Sequence, residues 1–182
     1  MKRPRQLSAD ELFAFSVKKL SGRAASVGEI RASLMTRALE PADIEGVLAR
    51  LKEYGYLNDA RFAESFASAR LENEGLGQSR VLRDLRQHRV SSDLAQRTVS
   101  KVYADKDEPA LIEQYIRRKY RNIEREGLFE SEKELAAAYR RLVRAGFSPG
   151  AALRVLKRFA ANPDLLDAIE PAPPDGDIDD NS

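Results

Sequence analysis

The sequence predicts an all-α protein, an elongated row of three tandem three-helix repeats with a disordered acidic C-terminal tail. Apolar residues recur at helical spacing in nearly every segment, and no run of about four to eight residues alternates as a half-buried strand would. Caps and prolines punctuate the chain as helix starts. One apolar skeleton occurs three times.

Residues 1–8 form a basic arm. "SADE", Ser8 to Glu11, reads as a capping box that opens a first helix over Ala9 to Leu20. The skeleton then appears as Ile30, Leu34, Leu39, Ile44 and Leu48, spaced 4, 5, 5 and 4. The first pair lies one helical turn apart, Leu39 plugs a short inter-helix turn, and the last pair sits on the next helix, at whose start Pro41 leaves no amide unpaired. These elements make a first repeat, 9–57. Asn58 caps a helix over Asp59 to Arg70, and Val81, Leu85, Val90, Ala95 and Val99 repeat the spacing, with Ser91 or Ser92 as the inner cap. The second repeat is 58–105. Pro109 precedes a helix over Ala110 to Tyr120, and Ala138, Leu142, Phe147, Ala152 and Leu156 complete the third repeat, 106–161, with Ser148 and Pro149 at its last helix start. The signals mark about nine helices. A unit of about fifty residues buries little core alone, so neighbours must stack in a row. Residues 162–182 hold four prolines and little to bury, and disorder is expected beyond Ile169.

Composition closes much chemistry. The 182 residues contain no cysteine and one histidine, His88, which excludes disulfides, thiolate metal sites, thiol catalysis and an imidazole cluster. No cofactor or metal site is expected. No carboxylate pair stands out as acid and base, so the chain reads as a non-enzyme, and His88, four residues after Asp84, reads as a surface helix residue. No apolar run approaches the ~20 residues of a membrane span and the start lacks a secretory h-region, giving an expectation of a cytoplasmic protein with no membrane partner.

The net charge of +2 conceals an asymmetry. Seven of the 29 acidic side chains fall in 162–182, which has no Lys or Arg, so residues 1–161 carry 31 basic against 22 acidic groups, a net of +9. A cationic body suits a polyanionic partner, although a charged surface also serves solubility. "SRVLRDLRQHR" places Val81, Leu82 and Leu85 on a buried side. Arg80 and Arg83 then lie opposite the core, Arg86 falls on a flank, and Arg89 sits near the helix end, where the dipole favours a cation. "YIRRKYRNIER" adds Arg117, Arg118, Lys119, Arg121 and Arg125, and "YRRLVR" adds Arg140, Arg141 and Arg144. In a stacked row these side chains line one groove suited to a long polyanion or an acidic protein polymer, or they are solvated helix faces. Tyr115 and Tyr120 accompany them, and the spacing of Tyr115 with Ile112 and Ile116 reads as core. "GLGQSR", Gly75 to Arg80, offers either an anion-accepting helix start or a plain turn.

"EIRASLMTRALEPADIEGVLARLKEYGYL" has the form of a helix-turn-helix with Ile44 to Glu53 as recognition helix, and a DNA-binding transcriptional regulator is the alternative reading. The following "NDARFAESFASARL" reads as a capped amphipathic helix, with Phe62 and Phe66 one turn apart, where a wing would need a strand.

"LKEYGYLNDARFAESFASAR" with "GLGQSRVLRDLRQHRVSSD" closely resembles the RecX family of bacterial recombination regulators, as does "YRRLVRAGFSPGAALRVLKRF" its third repeat. With "SVKKLSGRAASVGEIRASL" the likeness covers about residues 10 to 160. The resemblance implies a non-enzymatic row of modules that binds the RecA recombinase filament in its groove, also touches DNA, and limits filament growth, ATP hydrolysis and strand exchange; a monomer with weak, sequence-independent contact to single- or double-stranded DNA is the expectation. It implies that Tyr56, Leu57, Asp59, Arg61 and Phe62 form a structural signature and that Arg80, Arg83 and Arg86 lie on a basic second module. The acidic tail departs from the family pattern, and one role for it is a tethered competitor that covers the basic groove.

Overall fold

The computed structural model describes residues 5–120, 129 and 131–162. Among the described residues there are nine α-helices: α1 (Ala9–Gly22), α2 (Val27–Met35), α3 (Asp43–Glu53), α4 (Asp59–Ala69), α5 (Gln78–Gln87), α6 (Ser92–Tyr103), α7 (Glu108–Lys119), α8 (Glu132–Arg144) and α9 (Pro149–Phe159). No strand occurs among them, only two isolated parallel bridges, Leu7 with Ala38 and Phe129 with Ala160. The tail beyond Asn162, with its expected disorder and its role as competitor, lies outside the described residues.

The helix starts follow local hydrogen-bonding chemistry. Glu11 accepts from the Ser8 amide at 3.0 Å. Asn58 accepts from the Arg61 amide at 2.9 Å. Asp107 accepts from the Ala110 amide at 3.0 Å, which starts α7 at Glu108, ahead of the predicted Ala110. Two further capping boxes, Ser26 with Glu29 and Ser131 with Glu134, open α2 and α8. Each arrangement satisfies amides that have no partner one turn earlier.

The chain divides into two compact units, Met1–Ala69 with Leu82–Val102, and Arg70–Val81 with Tyr103–Ser182. The first has a core of Leu12, Ile30, Leu34, Val47, Leu48 and Leu51, among others. The second is built on Ile112, Ile116, Leu135, Tyr139, Leu142 and Leu156. Fourteen of the fifteen skeleton positions are buried. Leu39 is the exception, 54% exposed. It does not plug its turn, because the α2–α3 connection is longer, 36–42 against 88–91 and 145–148. That connection is held instead by its backbone: the Leu7 amide donates to the Arg37 carbonyl at 2.7 Å and the Leu39 amide to the Leu7 carbonyl at 2.9 Å, leaving the Leu39 side chain outside.

One joint occurs in both units. In the second, the start of α5 packs on the turn between α8 and α9: the Gly77 amide donates to the Ala145 carbonyl at 2.8 Å and the Ser79 amide to the Gly146 carbonyl at 3.3 Å. A Cβ on Gly77 would stand 2.6 Å from the Phe147 nitrogen, and Gly146 adopts φ +93°. In the first unit the Ser26 hydroxyl donates to the His88 carbonyl, and a Cβ on Gly28 would lie 2.6 Å from the Arg89 carbonyl oxygen. Arg89 takes φ 59°, a left-handed conformation that costs a residue with a Cβ about 1–2 kcal/mol. The skeleton register aligns Ser26 with Gly77 and Arg89 with Gly146, so the two joints are copies of one packing solution.

An element absent from the sequence reading is the π-helical turn Arg70–Glu74, which continues α4 beyond Ala69. In the second unit the Tyr103 hydroxyl donates to the Leu76 carbonyl at 2.7 Å, and burial pushes that phenol up to about 12.

Gly77→Ala and Gly28→Ala should each cost about 2–3 kcal/mol in urea unfolding, because backbone must move to admit the methyl. Gly46→Ala, in open space on α3, should instead gain about 0.5–1 kcal/mol from helix propensity.

Candidate interaction surface

The predicted cationic residues separate into groups. α7 buries Tyr115 and Ile116 and ends in Arg117, Arg118 and Lys119, while α8 buries Tyr139 and Leu142 and leaves Arg140, Arg141 and Arg144 exposed. Tyr115 is only 7% exposed, as its helical spacing predicts, and meets Phe147 edge-on at 5.7 Å. Burial raises the Tyr115 hydroxyl above its ordinary range and Tyr120 adds to the rise, while the charges of Arg141, Arg80 and Arg144 pull the other way. Those three guanidinium groups, from α5 and α8, are therefore near enough to Tyr115 for their charges to act on its hydroxyl. Lys119 Nζ lies 5.7 Å from the Tyr115 ring centroid and Arg141 Cζ 5.6 Å from that of Tyr120. The result is a cationic patch with aromatic backing, built by the joint that sets α5 against the α8–α9 turn.

Other predicted residues do different things. Arg118 donates to the Glu72 carbonyl at 3.1 Å and the Asn73 carbonyl at 3.2 Å, so its guanidinium caps the π-helical turn. Arg117 and Arg140 are exposed on α7 and α8. Arg83 and Arg86 are exposed on the part of α5 that belongs to the first unit. Arg121 lies outside the described residues, as does Arg125. Of the two readings of "GLGQSR", the turn fits better, because the Gly77 and Ser79 amides already donate to Ala145 and Gly146. The glycine at 77 serves close backbone approach.

His88 departs most from expectation. It follows the end of α5 and is half-buried, with its ring edge 5.6 Å from Phe62 and 4.8 Å from Phe66, centroid to centroid. Its Nδ1 is 3.2 Å from a Glu29 carboxylate oxygen. Glu29 also accepts from the Ser26 amide at 3.1 Å and from Arg23 at 3.0 Å. Burial opposes ionisation of Glu29, yet the Ser26 amide, Arg23 and His88 together hold its pKa below the ordinary 4.5. No spacing in the sequence links Glu29 to His88. Beside them lies a cleft of about 540 Å³ with walls that include Leu20, Phe62 and Phe66. The signature residues serve packing here: Leu57 is buried, Asp59 accepts from the Val27 amide at 2.7 Å, and Arg61 donates to the Gly55 carbonyl at 3.1 Å.

Two features disfavour α2 and α3 as a DNA-reading pair. Asp43 and Glu45 stand in the first turn of α3, where a recognition helix meets phosphates and bases. The next element is the helix α4, with no strand for a wing. Among the described residues no group of His, Cys, Asp and Glu could hold a metal ion, and no helix is long and apolar enough to cross a membrane.

Nine helices among the described residues, joined by close backbone approach and carrying a cationic aromatic patch in the second unit, define an all-α protein. The family model described as RecX, second three-helix domain, matches residues 58–99. A regulatory protein RecX from Streptomyces coelicolor is 28% identical over 145 residues, covering 80% of this chain and 75% of that one. The Deinococcus radiodurans regulatory protein RecX is 28% identical over 143 residues, covering 79% and 65%. The crystal structure of RecX from Lactobacillus salivarius shares the fold with a TM-score of 0.64 at 15% identity, over 83% of this chain and 96% of that one. The chain thus carries a match to the RecX second three-helix domain and is similar over most of its length to regulatory proteins RecX.

Because the folded-state pKa of Glu29 is depressed, its contribution to stability is present above pH 4.5 and is lost as pH falls through the lower folded value. Glu29→Gln should flatten the acid limb of a melting-temperature against pH curve below that point.

Proposed function

We propose that this protein binds the RecA recombinase filament and restrains its extension, ATP hydrolysis and strand exchange. The observation that carries the reading is the convergence of Arg80, Arg141 and Arg144 on Tyr115, with Lys119 alongside. Four cations around one tyrosine favour an extended acidic partner, and a nucleoprotein filament offers both acidic protein surface and DNA phosphate. Arg117 and Arg140 extend the proposed contact surface of the second unit, and Arg83 and Arg86 are proposed contacts of the first. In this reading the modules are the three repeats 9–57, 58–105 and 106–161, the protein acts as a cytoplasmic monomer and a non-enzyme, and free DNA is a weaker, sequence-independent ligand. Binding then loosens neighbour contacts within the filament or the motion needed for turnover. The family's regulatory character supports a role exerted on another protein.

Arg141→Glu with Arg144→Glu should weaken binding to filaments assembled on single-stranded DNA by about tenfold or more, with helicity by circular dichroism unchanged. Equal affinity of the double variant would remove the patch from this account. Raising salt should weaken the native protein more steeply than the variant.

A further inference from the structure

The cleft in the first unit is chemically unlike the patch in the second. Its walls combine Leu20, Phe62 and Phe66 with the polar Asn58, Ser65 and His88, and the permanently charged side chains among its lining are Arg23 and Arg61, with no carboxylate. At about 540 Å³ it has room for one or two large side chains. Its mouth continues into exposed aromatic surface: Tyr56, which lines the cleft, is 46% exposed and Tyr54 is 65% exposed. Phe13 meets both rings edge-on, at 5.9 Å for Tyr54 and 6.2 Å for Tyr56. Exposed aromatics beside an apolar cavity are the composition of a protein contact surface.

We propose that this cleft is a docking site for a protein segment that inserts a large apolar side chain and flanks it with carboxylates. An apolar anchor fills the Leu20, Phe62 and Phe66 walls, and acidic neighbours meet a rim whose permanent charges are all positive. Nucleic acid fits less well, because a phosphate track needs a row of cations and the lining of the cleft offers two, Arg23 and Arg61. The site and its ligand class are independent of the recombinase reading, since none of the patch residues of the second unit line the cleft.

Ser65 gives a clean test, because it is exposed, lines the cleft and sits within α4, where Glu and Lys are good helix formers. Random peptides of about twelve residues, displayed on phage, are selected on the full chain and counter-selected on its Ser65→Glu variant. The expected consensus is one aromatic or branched apolar residue among Asp and Glu. Its synthetic peptide, followed by fluorescence anisotropy, should bind Ser65→Glu about fivefold or more weakly, Ser65→Lys more tightly, and Arg141→Glu unchanged. A consensus without carboxylates, or no enrichment over the counter-selected variant, overturns the proposal. So does labelled oligo(dT) that responds to Ser65→Glu while the peptide does not, which would assign the cleft to nucleic acid. Self-association of the native chain abolished by Ser65→Glu would assign it to a second copy and equally overturn the proposal.

Discussion

The close approach of backbone to backbone at Gly77 and Gly146, with its counterpart at Gly28 and Arg89, is the constraint on which the rest depends. A three-helix module leaves an apolar flank and unpaired helix-start donors. Seating that start on the following module's inter-helix turn answers both needs. The donors meet the turn carbonyls, and the apolar flanks come within packing distance. The absence of a Cβ at Gly77 and Gly28 is what permits it. At the turn, Gly146 meets the left-handed geometry without cost, whereas Arg89 bears it against its own preference.

The same joint also arranges the charged side chains of the second unit. It commits the Gly77 and Ser79 amides to Ala145 and Gly146, which favours the turn over an anion site at that helix start. It also brings Arg80, three residues after Gly77, alongside the end of α8, where Arg141 and Arg144 project. Tyr115 lies beneath them, buried against Phe147 of the very turn that forms the joint. Packing and electrostatics in the second unit therefore share one origin. Displacement of the turn would scatter the cations as well as open the core.

The helical class, most caps and the buried skeleton were legible because each is local or periodic: a serine three residues before a glutamate and an apolar pair four apart carry their own geometry. Leu39 fitted the period but not the fold, since spacing does not reveal that the α2–α3 connection is tied by its backbone to Leu7. Arg118 was legible as a cation and not as a cap, because the π-helical turn it caps is a tertiary product with no composition of its own. His88 was misread for a similar reason. Its carboxylate partner is Glu29, on a different module, and its aromatic neighbours Phe62 and Phe66 come from a third helix. Long-range side-chain meetings of this sort leave no trace in spacing.

The most direct measurement is single-strand-dependent ATP hydrolysis by RecA from the same organism, titrated with this protein while DNA coating and bare-DNA affinity are followed in parallel. The proposed binding to the assembled filament predicts that hydrolysis falls while the DNA stays coated. Loss of hydrolysis only in proportion to displacement of RecA from DNA, or no loss at any ratio, would contradict it.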